Sequence, residues 1–143
     1  MYYQAASNQR DILYVLGDVT WTQEGLKKIV EADIPARMIL VAGNHDTLPV
    51  QDYLKVFDDV KGAVRYKGFW LTHIPIHDSE LRHKKNIHGH CHAGGPNQTQ
   101  TPAEWYNYYN AILEYNNYMP INMQEVGRRM QEQWRTVFPR EKP

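Results

Sequence analysis

The sequence predicts an α/β fold in a single domain that covers residues 1–143. Two short, almost continuously apolar runs, ILYVLG and MILVAG, are typical of strands buried on both faces of a parallel sheet. An amphipathic segment that predicts a helix separates them. Each run stops at polar residues, and in open α/β sheets ligands bind beyond such strand ends. A chain of this length can bury one substantial core.

The first half of the chain alternates strands and helices. DILYVLGD (11–18) predicts a strand that runs into a turn. TQEGLKKIVEAD (22–33) predicts an amphipathic helix with Thr22 as its N-cap. ARMILVAGNHD (36–46) repeats the buried-strand pattern, and LPVQDYLKVF (48–57) predicts a second, shorter helix. The order of these elements is that of a sheet with helical connections.

The second half carries a hairpin, two brief strands and a long helix. AVRYKGFWLTH (63–73) predicts a hairpin that turns at Lys-Gly, and KKNIHGH (84–90) predicts a strand that ends in histidines. YNAILEY (109–115) predicts another strand. PINMQEVGRRMQEQWRTVF (120–138) predicts the last helix, because apolar residues recur at near-helical spacing. The stripe that we expect to face the core consists of Met123, Val126, Met130 and Trp134.

Composition excludes several classes of protein. Lys plus Arg and Asp plus Glu number 16 each, so no overall field recruits nucleic acid or an anionic membrane. The longest apolar runs are far too short to span a bilayer, which predicts no membrane partner. The single cysteine, Cys91, excludes an internal disulfide framework and favours a cytoplasmic protein. We expect Cys91 to be a packed side chain and not a ligand.

Residues of metal-ligand type fall where the predicted strands stop. NIHGHCHAGG (86–95) places three histidines two residues apart, and its glycines indicate that the strand ends and a bendable loop begins. One carboxylate, one amide oxygen and several imidazoles suit Mn, Fe, Zn or Ni better than calcium. The side chains that we expect to lie together at the ends of these strands, which form one rim of the sheet, are Asp18, Asn44, His45, His73, His90 and His92.

The motifs that carry these residues resemble those of the calcineurin-like metallophosphoesterases. LGDV (16–19), GNHD (43–46), THIPIH (72–77) and HGHCH (88–92) occur in that family's order. The residues of these motifs are most similar to those of small phosphoesterases encoded by tailed phages and bacteria. The similarity covers roughly residues 11–128. The resemblance implies a mixed β-sheet sandwich flanked by helices. It also implies the host cell cytoplasm as the location if the chain is phage-encoded.

The resemblance also implies a role for each matching residue. Asp18 would bridge two divalent ions, and His92 would bind the less complete of the two sites. His45 would protonate the leaving oxygen, and Asp46 would orient His45. The remaining ligands of the well-defined site would be Asn44, His73 and His90. The implied reaction is hydrolysis of a phosphomonoester or phosphodiester by metal-bound hydroxide, on a phosphorylated small molecule or nucleotide. Whether nucleic acid is a substrate stays open.

One family motif has no counterpart. The family begins with Asp-x-His, whose residues bind the same ion as His92, and this sequence contains no Asp-x-His. We therefore expect an N-terminally short member whose second site retains Asp18 and His92, unless His77 or His88 substitutes. A missing first strand would expose a sheet edge, which a homodimer could cover. The alternative function is a catalytically impaired, metal-binding remnant that acts as a binding or regulatory protein.

Overall fold

The computed structural model describes residues 10–92 and 106–139, which form two β-sheets. The first sheet is parallel and ordered β1-β2-β3, with β1 at Ile12–Val15, β2 at Arg37–Val41 and β3 at Asp59–Lys61. The second sheet is mixed. Its order is β4-β5-β6-β7, with strands at Ala63–Tyr66, Phe69–Thr72, Lys85–His88 and Tyr108–Asn110. The predicted mixed α/β class with two sheets and flanking helices is confirmed.

The helices are α1 (Gln23–Glu31), α2 (Val50–Tyr53) and α3 (Met123–Val137). The predicted N-cap of α1 is confirmed, because the Thr22 side chain accepts a hydrogen bond from the backbone N–H of Gly25 at 3.1 Å. No helix within the described ranges is long and apolar enough to cross a membrane.

The predicted hairpin is confirmed, with β4 antiparallel to β5. Its turn residues Lys67 and Gly68 have φ values of 44° and 85°, as a two-residue hairpin turn of the primed type requires. Strand β3 was not predicted, because three residues beginning and ending in charged side chains give no apolar run.

The predicted strand over 109–115 is wrong for most of its length. Strand β7 ends at Asn110, and Leu113–Asn116 forms a 3-10 helix. The Asn110 side-chain oxygen accepts from the backbone N–H of Ile112 at 3.2 Å and so replaces a strand partner. This local bond competes with the β-ladder, which is typical of asparagine.

Strand β1 joins two hydrophobic cores. Leu13 and Val15 pack against the core beneath α1 and α2, whereas Tyr14 and Leu16 pack against the core beneath α3. Alternate residues of a strand point to opposite faces, so one strand can serve both cores. The buried members of the α1 side are Leu26, Met38, Leu40, Tyr53 and Phe57, and those of the α3 side are Leu71, Ile87, Val126 and Met130. The molecule is therefore a layered sandwich.

The apolar stripe of α3 only partly matches its prediction. Val126 and Met130 are 1% and 0% exposed and pack on the second sheet. Trp134 is 38% exposed, and its ring lies 5.6 Å from that of Phe138. The stripe therefore leaves the core in the last turns of the helix.

Met130 and Met119 provide a matched test of the α3 core. Met130→Ala should lower the free energy of unfolding by about 2–5 kcal/mol, because it opens a cavity in a fully buried position. Met119→Ala, at a position 38% exposed, should change it by less than about 1 kcal/mol. Urea denaturation measures both. Equal losses would contradict the packing of α3 on the second sheet.

Candidate metal centre

Four of the predicted ligands meet where β1, β2, β5 and β6 end. The parallel pairings of β1 with β2 and of β5 with β6 bring the carboxyl ends of paired strands to one rim. The Nε2 atom of His73 lies 3.0 Å from Asn44 Oδ1, 3.1 Å from His90 Nδ1 and 3.3 Å from Asp18 Oδ2. The sequence thus predicted His73 and the three side chains that the fold gathers around its Nε2 atom.

The hydrogen bonding of His73 makes this cluster a candidate cation site. Its Nδ1 lies 2.7 Å from the backbone carbonyl oxygen of Leu16, which can only accept, so Nδ1 carries the proton. When the ring is neutral, as a metal ligand must be, its Nε2 presents a lone pair to the oxygens of Asn44 and Asp18. A proton on the His90 imidazole could form a hydrogen bond to this lone pair, and a flipped Asn44 side chain could turn its NH₂ group toward it. In both cases the Asp18 carboxylate would still face the lone pair. His73 is 5% exposed, so water screens the repulsion poorly.

A divalent transition-metal ion fits this donor set. Asp18, His73 and His90 each offer one ligand atom, and these atoms lie within 4.8 Å of one another. A carboxylate oxygen with imidazole nitrogens and an amide oxygen suits Mn, Fe, Zn or Ni. Cys91 is buried, as predicted, and burial raises the pKa of its thiol, which disfavours the thiolate that a metal needs.

Two glycines let the ligand loops touch backbone to backbone. A Cβ atom on Gly17, whose φ is 79°, would lie 2.5 Å from His73 Nδ1 and 2.7 Å from the Cα atom of Gly43. A Cβ atom on Gly43 would collide with the Asp18 carboxylate and lie 2.5 Å from the Asp18 nitrogen. Only glycine fits at such a close approach.

Asp46 holds the same two loops together. Its carboxylate accepts hydrogen bonds from the backbone N–H groups of Asp18 at 2.9 Å, Val19 at 2.8 Å and Gly43 at 2.8 Å, with Thr20 at 3.3 Å. The resemblance implied that Asp46 orients the His45 ring. In the structure both oxygens of Asp46 accept from main-chain donors and so fix the backbone around the ligands. The implied role of Asp46 in orienting His45 stays a prediction.

His45 lies at the exposed rim of the centre. Its backbone N–H donates to Asp18 Oδ1 at 2.9 Å, which fixes one carboxylate oxygen while the other faces His73. The His45 ring centroid is 6.3 Å from that of Trp21, which is 65% exposed. The sequence reasoning did not single out Trp21. Its only signal was a large aromatic residue in a loop three positions after Asp18.

His92 is placed apart from the four clustered ligands. Within the described ranges, the compact ligand group contains Asp18, His73 and His90 but not His92. The Nδ1 atom of His92 lies 2.7 Å from Glu114 Oε1, a contact that the sequence gave no reason to expect. Its predicted role as ligand of a second ion stays a prediction.

The other histidines named from the sequence have local partners. His77 Nδ1 accepts from the backbone N–H of Ser79 at 3.3 Å and caps the 3-10 helix Asp78–Glu80. His88 is fully buried with Nδ1 2.9 Å from the Gly89 carbonyl oxygen, and burial lowers its pKa. These contacts give neither ring a place in the compact ligand group.

Comparison with known proteins agrees with the fold class. The family model of the calcineurin-like phosphoesterases matches residues 2–136. The chain therefore belongs to the calcineurin-like phosphoesterase family. No curated protein and no solved structure matched the chain significantly.

Asp46→Asn tests whether the backbone clamp, meaning the hydrogen bonds from the two ligand loops to the Asp46 carboxylate, stabilises the centre. The substitution keeps the size of the side chain but turns an NH₂ group toward N–H donors. The free energy of unfolding should therefore fall by about 1–3 kcal/mol. Metal retention after dialysis should fall too, because the Asp18 and Gly43 loops lose their shared acceptor. Asp78→Asn, at an exposed position, is the control and should change neither thermal unfolding nor metal content. A stable Asp46→Asn protein with normal metal content would refute the clamp.

Proposed function

We propose that this chain is a metal-dependent phosphoesterase that hydrolyses a phosphomonoester or phosphodiester. The ion would be held by Asp18, Asn44, His73 and His90. The observation that carries the proposal is the buried His73 Nε2 atom, which faces three ligand atoms at 3.0–3.3 Å. The Nδ1 atom of the same ring carries a proton, which it donates to the Leu16 carbonyl oxygen. Membership of the phosphoesterase family supports the same reaction class.

The ligand set suits the binding of phosphate. A bound divalent ion supplies Lewis acidity and lowers the pKa of water. Asp18 is the single carboxylate among the proposed ligands, so it neutralises only part of the charge of such an ion. The formal net charge of the chain is +0, so attraction for a phosphate must arise locally, at this rim.

His45 is the proposed general acid. Its backbone is anchored to Asp18 while its side chain lies exposed at the rim. A protonated imidazole there can hand a proton to the departing oxygen of an ester.

The exposed Trp21 side chain favours substrates with a planar leaving group. Its indole is exposed beside His45, where the group released from the phosphate would lie. Aromatic rings and nucleobases stack on such a side chain without further specificity. We therefore favour aryl esters or nucleotides among phosphorylated small molecules. Loop 93–107, which we also expect to select the substrate, lies mostly outside the described residues.

The alternative is a metal-binding protein with impaired catalysis. The observation that favours it is the absence of Asp-x-His from the sequence, which leaves Asp18 and His92 as the second-ion ligands carried over from the family. Turnover separates the two functions, since the remnant would bind metal but not hydrolyse esters.

Location and assembly are proposed from composition and topology. Balanced charge and one buried cysteine favour the cytoplasm, that of the host cell if the chain is phage-encoded. Among the described strands, β1 pairs only with β2, so a homodimer across the outer edge of β1 stays a prediction.

Asp18→Asn tests the metal site. The wild-type protein should retain close to one equivalent of Mn, Fe, Zn or Ni after dialysis, measured by elemental analysis. The variant should lose the metal and all phosphatase activity, because the amide keeps the shape but not the charge. The matched control, Asp78→Asn, removes the same charge from an exposed position and should leave both unchanged. Failure of the wild type to take up metal, even after reconstitution with Mn, would refute the site.

His45→Ala tests the general acid. Hydrolysis of nitrophenyl esters should fall little, because their leaving groups need no proton, whereas hydrolysis of alkyl esters should fall about 10²–10⁴-fold. The comparison is kcat on the two ester classes, with exposed His83→Ala as the control. Equal losses on both classes would exclude His45 as the acid. A wild-type protein that binds metal but hydrolyses neither class would establish the impaired remnant.

A further inference from the structure

His90 is the exposed member of the compact ligand group. Its ring lies edge-on to that of His73, with 4.9 Å between the ring centroids, and the residue as a whole is exposed. An exposed side chain has few packing neighbours to fix it. The position of the His90 ring therefore depends on the conformation of its main chain.

That main chain is a tight turn in a strained conformation. The Cys91 N–H donates to the Gly89 carbonyl oxygen at 2.6 Å, which closes a three-residue γ-turn with His90 at its centre. The φ of His90 is 62°, a value that residues other than glycine adopt uncommonly. The γ-turn with positive φ at its central residue is the rare and strained form. A residue persists in such a conformation only where the surrounding structure holds it there.

The Gly89 peptide unit is where the turn is held. Its N–H donates to the His73 carbonyl oxygen at 2.9 Å. Its carbonyl oxygen accepts from the His88 Nδ1 at 2.9 Å as well as from the Cys91 N–H. A Cβ atom on Gly89 would lie 2.9 Å from the Leu16 carbonyl oxygen, so the residue also packs closely against the main chain beyond β1. Of these contacts, the one from His88 is the hydrogen bond that a side chain supplies.

His88 makes this hydrogen bond at a cost to folding. The residue is 0% exposed, and its Nδ1 atom faces an oxygen that can only accept, so Nδ1 carries the proton of the neutral ring. Its Nε2 atom is buried and has no hydrogen-bond partner among the described residues. A buried acceptor without a partner costs free energy, which an apolar side chain at this position would avoid. Stability alone therefore does not explain an imidazole here, whereas its donor to Gly89 does.

We propose that His88 is a positioning residue that holds the γ-turn and so presents His90 to the divalent ion. The inference rests on the proposed function, since it takes His90 as a ligand of that ion. The His88 N–H fixes the Gly89 carbonyl oxygen, and this keeps the strained φ of His90 in place before an ion binds. Binding energy is then not spent on forming the turn, which is the advantage of a preorganised site.

The first experiment reads the turn in the metal-free protein by NMR. In the wild type, the one-bond Cα–Hα coupling of His90 should report a positive φ, and long-range ¹⁵N correlations should place the His88 proton on Nδ1. His88→Leu should lose the positive φ, because leucine has no donor. His88→Asn should keep it, because Nδ2 of asparagine is as many bonds from Cα as Nδ1 of histidine.

Two outcomes of this experiment would overturn the proposal. One is an unchanged positive φ of His90 in His88→Leu. The other is read in the wild type and stands even if His88→Leu does not fold: a negative φ at His90, or a His88 proton on Nε2.

The second experiment measures ion affinity by calorimetric titration with Mn, with thermal unfolding in parallel. His88→Leu should weaken Mn binding about 10–100-fold, the usual effect of losing the support behind a metal ligand, whereas His88→Asn should bind Mn like the wild type. Met130→Ala is the stability control, since it should lower thermal stability and leave Mn affinity unchanged. On a His90→Ala background, His88→Leu should have no further effect, because His88 acts through His90. Equal affinities in the two His88 variants, or a further loss on that background, would contradict the inference.

The two proposals fail in distinguishable ways. A wild-type protein that binds Mn and loses it in Asp18→Asn, with His88→Leu binding as tightly as the wild type, overturns the role of His88 and leaves the phosphoesterase site standing. A wild-type protein that binds no Mn at all overturns the proposed function, and with it the ligand role of His90 on which this inference rests.

Discussion

The Asp46 carboxylate is the contact on which the centre depends. It binds main-chain N–H groups from the loop after β1 and from the loop after β2 at the same time. These loops carry Asp18 and Asn44, and Gly17 and Gly43 let them approach without side chains between them. The first two ligands are thus fixed before any ion is bound.

The sandwich brings the other two ligands to the same place. β1 packs one face against the core beneath α1 and α2 and the other against the core beneath α3, so the ends of both sheets share a rim. His73 reaches back across the layers to bond the Leu16 carbonyl oxygen beyond the end of β1. That bond joins the second sheet to the first at the rim and sets which nitrogen of His73 faces the ligands.

The centre combines rigid and accessible parts. The His73 ring is buried and held by its partners, whereas His45 and His90 are exposed at the surface of the rim. A phosphate ester has to reach the site from that side, and the exposed Trp21 indole lies there. Rigid ligands would hold an ion in place, while exposed groups can adjust to a substrate, as is common where functional loops sit on a stable scaffold.

The sequence by itself determined the class of fold, helix α3, and the elements up to β6 apart from β3 and the 3-10 helix Asp78–Glu80. It also named Asp18, Asn44, His73 and His90, which lie together in the structure. It could do so because buried-strand runs, helix caps and hairpin turns are local patterns. The ligand set could be named because the order of the four motifs can be read along a single sequence. It failed at 109–115, where one Asn110 hydrogen bond ended a strand whose apolar pattern continued. Only the tertiary structure decided which main-chain groups Asp46 binds, which His73 nitrogen is free, and that Glu114 meets His92. Each of these depends on atoms far apart in the chain, whose distances no local pattern encodes.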